Sequence, residues 1–402
     1  MAQSAEANVE ERSVERLDDE EEFLEWKRNT PSLYDVLIMH TLEWSSLTCH
    51  FRPTASSDST EVIVGTSNPE REQNSLMVMD IHLPEPGKPI DRSSLPKKLI
   101  TVKQRINHLG DVHKARYSPT IKGLLASKSD DGSVYVFQLN THPDVPEKGF
   151  VPQLTLDGHT ASGFGLDWRL GETARVMSSD DEGTICIWDL DKTLTQKFAP
   201  ISSPIENRII PMLRIQGNGQ AVNEVKFHKR TPDLFGGVSD DSSVTLYDLR
   251  SGGVPFMKVM AHPSEVYALD FSPKDDFLFL TGAADGVIKL WDMRKLTRSI
   301  HDFEGHEEKV LRIEWNPSIE TLFMSASEDR KVIMWDCSKI GDDLQNEEHQ
   351  EGPTELLFRH KGHREKVEDI AWNPHRDLGV LSVDGNNMTQ YWEMDEDVFY
   401  DD

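Results

Sequence analysis

Along most of this chain the apolar residues fall in short alternating runs, and one kind of run repeats. Its copies end in an aromatic residue followed by an acid: ICIWDL (185–190), VTLYDL (244–249), IKLWDM (288–293), VIMWDC (332–337) and TQYWEM (389–394). VYVFQL (134–139) and LMVMDI (76–81) are weaker versions, so the anchor positions are 79, 137, 188, 247, 291, 335 and 392. Self-similarity of this kind marks a repeat architecture. A second marker precedes four anchors: Gly158-His159, Ala261-His262, Gly305-His306 and Gly362-His363, each histidine standing 29 residues before its tryptophan. A constant distance inside copies that are unevenly spaced describes rigid units joined by loops of different length. Each unit also holds a run such as VYALDFSP (266–273), VLRIEWNP (310–317) or VEDIAWNP (367–374), closed by a proline that cannot continue a strand ladder. Period-two alternation with turn residues between the runs predicts small antiparallel sheets.

Two segments escape the repeat. Residues 10–29 are rich in charge, with apolar positions at Val14, Leu17, Phe23, Leu24 and Trp26, and predict an amphipathic helix that Pro31 brings to an end. Residues 339–358, KIGDDLQNEEHQEGPTELLF, carry six acids and one lysine and finish on Leu356, Leu357 and Phe358. Acids beside an apolar ledge suit a basic amphipathic helix.

Composition narrows the function. The 402 residues include 43 basic and 70 acidic side chains, a formal charge of −27, which repels nucleic acid and anionic membranes and favours basic partners. No stretch approaches the ~20 apolar residues of a membrane-spanning helix. The first residues carry Glu6, Glu10 and Glu11 in place of a secretory h-region or an Arg-rich transit peptide, so a cytosolic or nuclear location is expected. Cys49, Cys186 and Cys337 are too few and too scattered for a disulfide framework or a Cys-x-x-Cys site. None of the common catalytic motifs occurs. Gly217-Asn218-Gly219 is a lone Gly-x-Gly where a fourth unit should begin, and reads as a degenerate turn. No enzyme activity, metal or cofactor is expected.

The repeats resemble the WD-repeat family, whose ~40–45-residue units each form one four-stranded propeller blade. The resemblance implies an all-β, seven-bladed propeller over residues 31–394, with an acidic tail and helix at 1–30, an acidic insertion at 339–355 before the last blade, and an acidic tail at 395–402. It also implies that the acids six residues before the anchors, namely Asp131, Glu182, Asp241, Asp285, Asp329 and in one unit Asn386, join the histidine, a hydroxyl and the tryptophan in a structural hydrogen-bonded set.

A narrower resemblance comes from WKRNTPSLYDVLIMHTLEWSSLTCHF (26–51), EQNSLMV (72–78), KARYSP (114–119), the SKIG loop (338–341) and GPTELLF (352–358). These look like the histone-binding WD-repeat proteins of the retinoblastoma-binding, chromatin-assembly-factor small-subunit type. Such a protein is a non-catalytic nuclear scaffold, with a possible cytoplasmic pool, that holds histones H3 and H4 for assembly, acetyltransferase, deacetylase or Polycomb-type complexes.

Carried over residue by residue, the first helix of H4 would lie between the N-terminal helix and the acidic loop. Glu348 and Glu351 would face its arginines, over a floor of Leu33, Leu357, Phe358 and Val398. The H3 tail would meet a top-face site at Glu43, Trp44, Asp111, His113, Lys114 and Phe164. Ser32 and Thr354 depart from the family's pattern at the groove. Ser162, Asn223 and Lys309 do so on the top face, where they stand in place of carboxylates, so a top face poor in acid is expected. An alternative reading is a substrate receptor of a cullin-type ubiquitin ligase, whose Trp-Asp-x-Arg box is matched by residues 291–294 and, with Tyr247 first, by 247–250.

Overall fold

The computed structural model describes residues 20–53, 60–68, 70, 73–84, 96–146, 149–191, 193, 207–342 and 352–395. These residues form seven sheets. The innermost strands are Ser45–Phe51, Val112–Tyr117, Leu166–Trp168, Val222–Phe227, Val266–Phe271, Val310–Trp315 and Val367–Trp372. Each touches the innermost strands of the sheets before and after it, so the ring closes as a seven-bladed β-propeller. Closure joins the two ends of the chain, because Tyr34–Thr41 pairs antiparallel with Met388–Met394 as the outer strand of the seventh blade. The second blade alone has five strands, Arg208–Ile209 adding in parallel to Leu154–Leu156.

Stacking explains the burial pattern. A middle strand such as Leu322–Ser327 is buried at every position because both of its faces meet other blades, whereas the outer strand Pro255–Met260 leaves most of its positions in solvent. The anchor residues fill the layers between blades: Met79, Phe137, Trp188, Trp291, Trp335 and Trp392 are all buried. Trp335 stacks on Phe323, with 6.0 Å between centroids. Polar clasps tie neighbouring blades together. Asp167 accepts the Phe227 N–H at 2.7 Å, Asp270 the Trp315 N–H at 2.8 Å, and Asp369 the Cys49 N–H at 2.9 Å.

The histidine sets form in full in the fifth, sixth and seventh blades. In the third, His159 meets no hydroxyl among the described residues, and Trp188 donates instead to the Asp157 carbonyl at 2.9 Å. Asp131 and Asp241 accept from the Ser133 and Ser243 N–H at 2.8 and 3.1 Å and meet no histidine among the described residues. His262 bonds Thr281 (2.8 Å) and Asp285 (3.2 Å), and Trp291 donates to the same Thr281 hydroxyl at 2.9 Å. His306, Ser325, Asp329 and Trp335 repeat this. In the third and seventh blades the acid is Asp180 or Asp384, not Glu182 or Asn386: His159 meets Asp180 and His363 meets Asp384, each at 2.9 Å. The turn accounts for the shift. Asp180 and Asp384 also accept turn N–H groups, from Thr184 at 2.7 Å and Met388 at 3.0 Å, so one carboxylate at the start of the turn does both jobs. The corner of that turn needs a left-handed backbone. Gly286 supplies it in the fifth blade (φ 75°), while Arg330 and Asn387 adopt it in the sixth and seventh. A fifth histidine was not anticipated: His108 bonds Ser127 at 2.9 Å, and it too stands 29 residues before its anchor, Phe137.

The N-terminal helix is described over residues 20–33, and it passes through Pro31 instead of stopping there. Proline deprives the Lys27 carbonyl of its helical donor. The Thr30 hydroxyl takes that place at 3.1 Å, and Ser32 bonds the Asn29 carbonyl at 3.0 Å. Phe23 and Trp26 face the core, but Leu24 is 42% exposed and leaves the expected stripe. Val14 and Leu17 lie outside the described residues, as do 343–351 within the acidic insertion and the tail beyond Asp395.

Candidate functional site

The helix docks where the sixth and seventh blades meet. Trp26 packs edge-on to Tyr34 (6.1 Å) and His360 (5.6 Å), above Phe358 and Trp392. Charge reinforces the docking at its rim. Glu22 pairs with Lys361 at 2.9 Å, Glu20 with Arg364 at 2.8 Å, and the Arg364 guanidinium lies over the Phe23 ring at 4.9 Å. Burial would raise the Glu22 carboxyl, but its bond to Lys361 and the charges of Lys331 and Lys361 leave it below the usual range.

Leu33 and Leu357 are half-buried beside this cluster and offer apolar surface. Phe358 does not form an open floor: it is 6% exposed, wedged between Tyr34 and Trp392, and supports the floor from beneath. The two departures from the family pattern both find partners, Ser32 within the helix and Thr354 across the base of the insertion. The Thr354 hydroxyl donates to the Lys339 carbonyl at 3.1 Å, pinning together positions 15 residues apart. Glu355 is buried against His301 at 2.6 Å. Glu348, Glu351 and Val398 lie outside the described residues.

A second site lies at one mouth of the central channel, where the chain enters the innermost strands. A cavity of about 420 Å³ there is lined by Phe164 and Tyr267, by Asp181, Asp240 and Glu368, and by Asn223, Arg312 and Lys366. Of the six residues expected at this face, Phe164 alone lines the cavity, and His113 backs it, stacked on Phe164 at 4.3 Å. Burial holds the His113 imidazole below its ordinary range, hence neutral. Lys114 is fully buried beneath, ion-paired with Glu224, and has no surface to offer a ligand. Asp111 serves its own loop, accepting from Asn68 N–H at 3.0 Å and from the Asn74 amide at 2.8 Å. Glu43 is exposed and pairs with Arg105 at 3.3 Å, and Trp44 is half-buried; neither lines the cavity.

The expected poverty of acids is also corrected. Asp181, Asp240 and Glu368 supply carboxylates from other positions, Asp181 and Asp240 belonging to the Asp-Asp pairs at 180–181 and 240–241. Asn223 donates to Asp240 at 2.8 Å and so orients one of them. Lys309 sits 5.6 Å from the Tyr267 ring and 3.9 Å from Glu328. The pairing in the channel below is mutual: Arg116 makes a two-pronged contact with Asp369 at 2.9 and 3.0 Å, and Lys229 meets Asp270 at 2.6 Å. In the Trp-Asp-x-Arg boxes both arginines fold back on their own aspartates, Arg294 on Asp292 at 2.7 Å and Arg250 on Asp248 at 2.5 Å.

Comparison with known families agrees with this geometry. Residues 21–85 match the family of the histone-binding protein RBBP4, which takes in the corresponding component of the CAF1 complex. That stretch includes the described helix, the closing strand Tyr34–Thr41 and the first blade as far as Ile81. Residues 253–292 and 297–336 each match the family "WD domain, G-beta repeat", ending on Trp291-Asp292 and Trp335-Asp336. The propeller, the helix docked on its closing blade and these matches together support the histone-binding WD-repeat family of the retinoblastoma-binding, chromatin-assembly-factor small-subunit type.

Proposed function

We propose that this chain is a non-catalytic nuclear scaffold that binds histones H3 and H4 and presents them to chromatin-assembly and histone-modifying complexes. The observation that carries the reading is the docked helix. The segment matched by the histone-binding family is the one that builds a wall beside half-buried Leu33 and Leu357, next to the base of an acidic insertion. A basic amphipathic helix, the first of H4, would lay its apolar side on these leucines and its arginines toward Glu348 and Glu351. An Arg–carboxylate pair over an apolar floor is stronger than a surface pair worth ~0–1 kcal/mol. At the channel mouth, two aromatic rings with Asp181 and Asp240 suit a basic side chain, Glu368 being paired with Lys366 at 2.8 Å, and the H3 tail is the proposed ligand there.

Deleting the residues up to Arg28 tests the reading. It removes Trp26 and most of the wall while leaving the seven sheets and the closing strand intact. The truncated protein is expected to fold, with unchanged far-ultraviolet β signal, and to lose binding of an H4 first-helix peptide in titration calorimetry. Full binding by the truncated protein would remove the helix from the site.

A further inference from the structure

The helix is held to the propeller by more than apolar contact. Trp26 Nε1–H donates to the Tyr34 hydroxyl at 2.7 Å, and that hydroxyl lies 2.8 Å from His360 Nδ1. The indole is a donor only, so the Tyr34 oxygen accepts from it, and the buried phenolic proton is satisfied when it is given to His360 Nδ1. Nδ1 is then the acceptor, and the ring proton of the neutral imidazole resides on Nε2. Burial keeps this ring neutral, holding its pKa well below the ordinary histidine range, and the neighbouring His363, itself bonded to Asp384 and Ser382, pushes the same way.

His360 Nε2 and Gln390 Oε1 each have no hydrogen-bond partner among the described residues. Both border the space over Gly362, where an added Cβ would stand 2.7 Å from each. The Gln390 amide is fixed from its other end, its Nε2 donating to the Gly362 carbonyl at 2.7 Å. The His360 ring is fixed too, stacked on Trp392 at 4.5 Å and 3°. A directional relay therefore runs from the helix (Trp26) through the closing strand (Tyr34) to the last strand of the sixth blade (His360), whose ring is stacked on Trp392 of the seventh.

We propose that His360 is a positioning residue for the histone groove, setting the height and rotation of the N-terminal helix through Tyr34 and Trp26. Apolar packing alone tolerates sliding and rolling of a helix on a sheet, whereas a chain of buried, directional bonds has one satisfied arrangement. His360 lies two residues after Phe358, and Tyr34 directly follows Leu33, so a shift in the relay moves floor and wall together. The effect on binding rests on the histone-groove reading, while the effect on the helix does not.

The test uses the full-length chain with three substitutions, His360→Phe, Tyr34→Phe and His360→Asn. His360→Phe keeps the stacking on Trp392 and removes both ring nitrogens. Tyr34→Phe removes only the central hydroxyl, and so remains informative should the first variant fold poorly. His360→Asn restores an acceptor at the place of Nδ1. Hydrogen exchange is followed over residues 20–33 and over the blades, together with the affinity for an H4 first-helix peptide.

Both phenylalanine variants are expected to speed exchange of the helix amides by about tenfold or more with blade protection unchanged, to weaken peptide binding by about tenfold, and to be non-additive when combined. His360→Asn should recover a substantial part of both. Unchanged helix exchange in Tyr34→Phe and His360→Phe would overturn the relay. Faster helix exchange with unaltered peptide affinity would overturn the positioning role. Absence of peptide binding by the parent chain would instead sink the histone-groove reading, and the exchange data would still decide whether the relay sets the helix.

Discussion

Asp369→Ala is expected to destabilise the propeller by about 3–5 kcal/mol, the cost of leaving buried cations without their counter-charge. One carboxylate here serves four blades. From the seventh blade it accepts the Cys49 N–H at 2.9 Å and the Thr48 hydroxyl at 3.1 Å in the first, and the Arg116 fork at 2.9 and 3.0 Å in the second. Arg312 of the sixth blade lies 3.5 Å away. Burial pushes the Asp369 carboxyl upward, but Arg116, Arg312 and Lys114 more than offset it and keep the group ionised to pH values well below its usual range. Alanine would leave Arg116 buried and uncompensated at the junction where the two ends of the ring meet. Asp369→Asn, which retains an acceptor, should cost clearly less. Urea unfolding of both variants checks this, and an alanine variant within about 1 kcal/mol of the parent would show that the ring closes without the clasp.

The second large effect concerns binding. Reversing the charge at Glu348 and Glu351 together, Glu348→Lys with Glu351→Lys, is expected to weaken binding of an H4 first-helix peptide by at least about 100-fold. Two charge-assisted contacts at ~1.5–3 kcal/mol each would be lost, and repulsion of the peptide's arginines would be added. Loop substitutions away from the core shift stability by no more than ~0.5 kcal/mol, so the melting temperature should stay nearly constant. A double variant that bound like the parent would take these two acids out of the histone site.

Much of the fold was legible because it is written in local chemistry. Strand alternation and the 29-residue histidine spacing report on contacts within one blade, and each unit repeats them. Features that depend on which neighbour answers were harder to read. His108 is harder to read because Asn107, neither glycine nor alanine, precedes it, although its distance to Phe137 carries the same signal. Asp180 and Asp384 replaced the expected acids because both ends of a tight turn can reach one imidazole.

Pro31 looked like a terminator, yet a threonine one residue earlier could satisfy the carbonyl it orphaned. Lys114 looked like a surface cation until the inner strand carried it beneath the channel mouth to Glu224. At that mouth the carboxylates are Asp181, Asp240 and Glu368, far apart in the chain, which only the curvature of the ring brings together. The helix and the apolar run at 356–358 could be read from the residues themselves, while a groove formed with Leu33, Glu348 and Glu351 rests on resemblance.

Titration of the parent chain with an H4 first-helix peptide, by fluorescence anisotropy from 0.1 to 1 M salt, tests histone binding most directly. Over that range the Debye length contracts from about 10 Å to 3 Å, so a contact held by charge alone should fade. Saturable one-to-one binding is expected at low salt, with a part that survives at 1 M because Leu33 and Leu357 contribute apolar burial at ~25 cal/mol per Å². An H3 tail peptide, met chiefly by carboxylates at the channel mouth, should lose its affinity more steeply. No saturable binding of the H4 peptide at 0.1 M salt would contradict the account.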